Sequence, residues 1–223
     1  MHNLSLALLA ATMLFAGAVR AQSFCSSDGV PRPTALLERF VNADCADCWT
    51  DRQTPDAAAG TVAVDWVLPG SRGEEAPLSA VATRDALHRL EATRRPPPSM
   101  SSTAFYSAGS APALRVGHGL PFNDYIGTTI EWRPSAGKGP WTAWLLLVET
   151  LPRGAEGSAV ERNLVRNALR VEWTGAGTAR LRESRPMRIP EGAKVERLRV
   201  VGWTEDARGQ VLSLAQSRCA GSR

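Results

Sequence analysis

Residues 34–52 read TALLERFVNADCADCWTDR. An apolar run gives way to a short polar turn and then to two cysteines two residues apart, Cys45 and Cys48, at the head of a potential helix. A C-x-x-C that follows a buried strand directly and opens a helix sets its first sulfur among aligned N–H groups, which favour the thiolate. The same spacing also serves zinc, but zinc needs two further thiolate or imidazole ligands at compatible intervals. Here only Cys25 and Cys219, at the chain's extremes, and His2, His88 and His118 remain. The spacing therefore points to a redox pair or to a structural disulfide, and not to a metal centre.

Working outward, Cys48 to Arg52 extends as a short helix that Pro55 ends and Gly60 closes off. Residues 61–68, TVAVDWVL, are nearly continuously apolar, as parallel strands covered on both faces are. Strand, short helix and strand predict a βαβ unit with a right-handed crossover. Residues 79–95 carry Val81, Leu87 and Leu90 on one helical stripe, backed by alanines, with Arg94 and Arg95 suiting the C-terminal end and Pro96-Pro97-Pro98 stopping it. His88 lies beside that stripe without a visible partner, and His118 between two glycines reads as a loop residue. Residues 99–111 are Ser/Ala/Gly-rich and read as loop, and Pro112 introduces a short strand over residues 113–117.

The upstream segment has a different character. Residues 4–18, LSLALLAATMLFAGA, are apolar and uncharged, and Val19-Arg20-Ala21 is a small-residue cleavage pattern. The run is short for a membrane span and reads as a secretory signal over residues 1–21, which places the mature chain in the periplasm or outside the cell. Such a compartment preserves disulfides. Four cysteines allow three pairings; proximity favours Cys45 with Cys48, leaving Cys25 for Cys219.

Past residue 130 the pattern changes to strand-like runs separated by turn signals such as Gly175-Ala176-Gly177 and Pro190-Glu191-Gly192, at the spacing of a β-sandwich. The expected fold class is accordingly α+β: a thioredoxin-like α/β domain over residues 22–130, followed by a β-sandwich-like domain over residues 131–223. Residues 22–130 carry 9 basic and 12 acidic side chains, and residues 131–223 carry 16 and 10. The basic second half does not read as a nucleic-acid surface, because Arg180, Arg182, Arg197 and Arg199 alternate with apolar residues as on the wet face of a sheet. Trp132, Trp141, Trp144, Trp173 and Trp203 all fall in this half and read as packed aromatics rather than a sugar-binding platform.

With these residues placed, the chain resembles a family of exported bacterial thioredoxin-like proteins labelled only as a domain of unknown function. The resemblance rests on Leu37-Glu38-Arg39-Phe40-Val41 before Cys45-x-x-Cys48, on Val62 to Trp66, on the segment from Arg162 to Gly175, and on Val211 to Ala215. Departures are Ala46-Asp47 inside the motif, Trp49 after it, and Ala111-Pro112 where the family has Thr-Pro. The resemblance implies a thioredoxin-like site in which Ala111-Pro112 is a cis-proline loop facing Cys45 and pairing with an incoming extended peptide. On that reading the protein is a thiol/disulfide oxidoreductase: Cys45 attacks, Cys48 resolves the mixed disulfide, and protein thiols or disulfides are the partners. Asp44 and Asp47 would raise the pKa of Cys45 and make the pair a weak oxidant. Neither cofactor nor metal is expected, nor stable membrane insertion after signal cleavage. The competing expectation is a non-catalytic exported binding or scaffold protein that keeps Cys45–Cys48 as a structural disulfide. A thioredoxin-like copper carrier is a third option, disfavoured by the lack of histidine or methionine near the cysteines.

Overall fold

The run ALLERFVN carries large apolar side chains on both faces, which suits a strand inside a sheet that is covered twice. In the computed structural model, which describes residues 25–135, 138–175 and 178–219, it forms such a strand. The expected signal segment, residues 1–21, lies outside the described residues. The chain order is β1 (Cys25–Ser26), β2 (Ala35–Asn42), α1 (Ala46–Thr50), β3 (Thr61–Leu68), α2 (Arg84–Ala92), β4 (Ser101–Ser107), β5 (Arg115–Phe122), β6 (Tyr125–Trp132), β7 (Trp141–Leu151), β8 (Arg162–Trp173), β9 (Leu181–Arg188), β10 (Leu198–Glu205), β11 (Val211–Gln216) and β12 (Arg218–Cys219).

Two sheets result. The larger has the order β11-β10-β7-β8-β3-β2-β4, and the smaller the order β12-β1-β5-β6-β9. Within the larger sheet β2 and β3 run parallel in continuous register from Ala35↔Thr61 to Asn42↔Leu68, with α1 in the crossover, so a local βαβ unit exists. Around it, however, there is no thioredoxin-like α/β domain. The sheet continues from β3 directly to β8, through Asp65↔Leu164, and on to β7, β10 and β11, all from the second half of the chain. The smaller sheet likewise joins β5 and β6 to β9. The expected α/β domain followed by a separate β domain is thereby corrected to a mostly β, two-sheet, sandwich-like fold, and both sheets draw strands from either side of residue 130.

One core lies between the sheets, where Val116, Ile126 and Ile130 meet Leu145, Leu147 and Val200. A second lies on the other face of the larger sheet, under α2, where Phe40, Trp66, Trp144, Leu146 and Trp203 meet Ala86 and Leu90. Alternate residues of β7 thus serve different cores, which is why WTAWLLLVETL reads as one apolar run rather than as an alternation. Sheet contact is close enough at Gly202 that a Cβ there would lie 2.8 Å from Val116 Cγ1 and 3.1 Å from the Trp144 carbonyl. The five second-half tryptophans are all buried, as core aromatics.

Helix α2 is shorter than the apolar stripe implies. Thr83 Oγ1 accepts from the Ala86 N–H and caps it, and residues 79–81 form a separate 3₁₀ turn. Arg89 ties α2 to the sheet. It pairs with Glu38 (2.9 Å) and Glu205 (2.7 Å), while the guanidinium lies 4.9 Å and 5.0 Å from the Trp144 and Trp203 rings. The indoles of Trp66 and Trp203 donate to the same two carboxylates, at 2.9 Å and 2.7 Å. Burial alone would lower the Arg89 pKa, but Glu38 and Glu205 outweigh it and hold the side chain charged.

Candidate functional site

Strand β2 ends in a turn closed by Asn42, whose carbonyl accepts from the Cys45 N–H and whose Oδ1 accepts from the Asp44 N–H, both at 2.9 Å. Cys45 is the N-cap residue of α1 and is partly exposed; Cys48 and Trp49 are buried. Their sulfurs are joined, Cys45 to Cys48, at 2.04 Å. Helix α1 spans only five residues, so the disulfide sits on one helical turn rather than on a long dipole.

Why that turn stays in place is a matter of three buried charges. Asp65 of β3 receives Arg39 Nη2 at 2.8 Å, Arg162 Nη1 at 2.7 Å and the Asn163 N–H at 3.0 Å. All three ionic side chains are essentially inaccessible. One carboxylate faces two guanidiniums, and carbonyl oxygens and the Ser158 hydroxyl take further donors, with Arg39 Nε left buried and unpartnered. Arg39 donates to the Pro55 and Glu161 carbonyls, and Arg162 to the Trp49 carbonyl at 2.9 Å and to Ser158 Oγ. The Arg162 guanidinium also lies 4.3 Å from the Trp49 ring, and the Trp49 indole donates to the Glu156 carbonyl at 3.0 Å. Strands β2, β3 and β8 therefore grip the C-x-x-C segment at Trp49 and at Pro55. Nothing in the spacing of the cysteines announced this grip. The available signal was a charged residue inside each of two continuously apolar runs, Arg39 and Asp65, since such a charge must find a partner.

Asp44 is likewise engaged. It accepts from the Ser71 N–H and hydroxyl at 2.7 and 2.8 Å and from the Arg72 N–H at 3.2 Å. The Ser71 hydroxyl, above all, holds its carboxyl below the ordinary value. A Cβ at position 70 would lie 2.1 Å from Asp44 Oδ1, so any larger residue there would displace the Asp44 carboxylate from these bonds.

Ala111-Pro112 does not belong to this site. The cis bond among the described residues is Gly139–Pro140, so Ala111–Pro112 is trans. The Pro112 carbonyl accepts from the Trp132 indole at 3.2 Å and from Ser213 Oγ at 2.9 Å, and Ala111 packs on the core between the sheets. The expected cis-proline loop over Cys45 is corrected to a connector that leads into β5 and is held by β6 and β11. Its substrate-binding role falls with the thioredoxin-like fold that implied it. His88 is exposed, 4.0 Å from Asp85, beside a shallow depression that Trp144, Ala168 and Arg170 also line.

Cys25 and Cys219 are joined at 2.00 Å across β1 and β12, which pair directly at these residues. Fold and site together define a disulfide-braced, two-sheet β protein with one partly exposed C-x-x-C. No protein-family model matches the chain, and no curated protein matches it. Among solved structures it is similar to an endonuclease/exonuclease/phosphatase from Beutenbergia cavernae DSM 12333, at 10% identity and a TM-score of 0.27, over 54% of this chain and 30% of that one. The chain spans less than a third of that protein, and a likeness this loose carries no argument about fold or activity.

Proposed function

We propose that the protein is an exported thiol/disulfide exchange protein whose working pair is Cys45–Cys48. The observation that carries this reading is the asymmetry of the pair: Cys45 reaches the surface at the end of β2, while Cys48 lies buried behind it. An incoming thiolate of a partner protein attacks Cys45 Sγ, the Cys45–Cys48 bond breaks, and Cys48 leaves as the thiolate and takes a proton. The partner's second thiolate then attacks the mixed disulfide and releases Cys45. The partner dithiol is oxidised to its disulfide and this chain gains two electrons and two protons; the reverse sequence runs in the other direction. The grip of Arg39, Asp65 and Arg162 on the segment keeps the two thiols in register for reclosure. Two disulfides fit an oxidising compartment, and no helix among the described residues is long and apolar enough to cross a membrane.

The same grip favours a second reading, an exported binding or scaffold protein in which Cys45–Cys48 is a static staple. One experiment separates them. A Cys48→Ser variant is incubated with oxidised glutathione under native conditions and mapped by mass spectrometry. Exchange activity requires a stable glutathione adduct on Cys45, and a much slower adduct on Cys48 in Cys45→Ser. A folded Cys48→Ser protein that acquires no adduct supports the staple.

A further inference from the structure

His118 is a buried side chain for which neither reading has a use. It is 5% exposed, and it lies opposite Cys25 where β5 pairs with β1, while Cys219 lies opposite Cys25 where β1 pairs with β12. Three neighbouring strands therefore bring Cys219, Cys25 and His118 into one cross-strand row, and residues opposite one another on adjacent strands project from the same face. The two sulfurs and one imidazole nitrogen all fall within 4.8 Å of one another. His118 Nδ1 lies 3.0 Å from the Gly119 carbonyl, a hydrogen bond in the tautomer that carries its proton on Nδ1, and in that tautomer Nε2 presents a lone pair. That Nε2 is buried and has no hydrogen-bond partner.

We propose that Cys25, His118 and Cys219 form a redox-gated site for a thiophilic divalent cation of the zinc type, shut while the disulfide is intact and opened by a dithiol reductant. In the opening step the Cys25–Cys219 bond breaks, the reductant's two thiols become its own disulfide, and two protons pass to Cys25 and Cys219. The cation then displaces those two protons, and two thiolates balance its charge. Zinc–sulfur bonds of about 2.3 Å and zinc–nitrogen bonds of about 2.0 Å set ligand atoms roughly 3.5–3.8 Å apart in a tetrahedron, so side-chain rotation alone closes the row. Water takes the fourth position. Cys219 is partly exposed, so the row reaches the surface at that end. The oxidised pair, with both sulfurs bonded to each other, has no thiolate to offer.

The test uses the full chain carrying Cys45→Ser and Cys48→Ser, so its outcome does not depend on the exchange activity proposed above. The protein is reduced with a dithiol, desalted without oxygen and titrated with Co²⁺, then with Zn²⁺. The expected result is sulfur-to-cobalt charge-transfer absorption that saturates at one metal per chain, is abolished by zinc, is absent before reduction, and is accompanied by unchanged near-UV circular dichroism. His118→Gln, which keeps the side chain's bulk and polarity, should weaken the metal by more than about tenfold. Where the double serine variant does not fold, the wild-type chain is titrated after reduction and again with His118→Gln. No charge-transfer band, a band indifferent to His118→Gln, or a band that appears only with loss of the near-UV signal would overturn the proposal.

Discussion

Cys25–Cys219 ties together residues 194 positions apart on directly paired strands, with Cys25 fully buried, whereas Cys45–Cys48 spans three positions within one turn and leaves Cys45 partly exposed. The first can be opened only by giving up an entropic brace on nearly the whole chain. The second closes a loop so short that its loss changes the unfolded ensemble little, and its turn is held by hydrogen bonds that do not pass through sulfur. A disulfide of the first kind suits stability, and one of the second kind suits exchange.

The comparison breaks most visibly on global stability. Replacing Cys25 and Cys219 together by serine should cost on the order of 5 kcal/mol in the chain-entropy model, read as a fall in the denaturant midpoint at unchanged slope. A loss no larger than that of the other pair would abolish the distinction. Next in size is Asp65→Asn, which leaves Arg39 and Arg162 buried with no counter-charge and should cost roughly 3–5 kcal/mol. Because both arginines hold the C-x-x-C segment, amide exchange over residues 45–55 should rise in this variant before it rises in β7 or β10. Protection lost uniformly would show that the charges brace the whole sheet instead.

Smaller still is the double replacement Cys45→Ser with Cys48→Ser, which should cost at most about 2 kcal/mol and leave the near-UV spectrum in place. The smallest effect concerns the sheet that carries Cys25. The Arg115 hydrogen bond holds the Asp28 carboxyl below its ordinary value of 3.8. A carboxyl depressed in the folded state adds stability above its unfolded pKa, and that stability is lost as pH falls through the lower native value. Arg115 and Asp28 are 39% and 59% exposed, so screening limits the pair to under about 1 kcal/mol. Arg115→Met should therefore lower neutral stability by under about 1 kcal/mol, leave the most acidic values unchanged and so flatten the acid side of the stability profile slightly; an unchanged acid limb would rule the pair out as a contributor.

Local order was readable in the sequence, and long-range order was not. Residues 61–68 were legible as a strand because both faces are buried, and residues 35–42 for the same reason. Strand β4 was hidden: it is an edge strand with one face to solvent, and Ser-Ser-Thr-Ala carries no apolar alternation. The start of β8 was hidden by Arg162 and Arg166, charges that look like surface residues and are in fact buried in ion pairs with Asp65 and Glu149. A boundary at residue 130 assumed that neighbours in sequence are neighbours in the sheet, whereas Asp65 pairs with Leu164. At the site, the cysteine spacing was legible, but a proline before a strand says nothing about the isomer of its peptide bond or about what it packs against, and the Pro112 carbonyl is held by Trp132 and Ser213.

The claim that the C-x-x-C is the exchangeable pair is tested most directly by equilibrating the native protein across a graded series of reduced and oxidised glutathione, alkylating free thiols and mapping the peptides. The account predicts that Cys45 and Cys48 become alkylated together at a reductant level at which Cys25 and Cys219 remain joined and the near-UV spectrum is native. Reduction of Cys25–Cys219 first, or of neither pair until the protein unfolds, would contradict it.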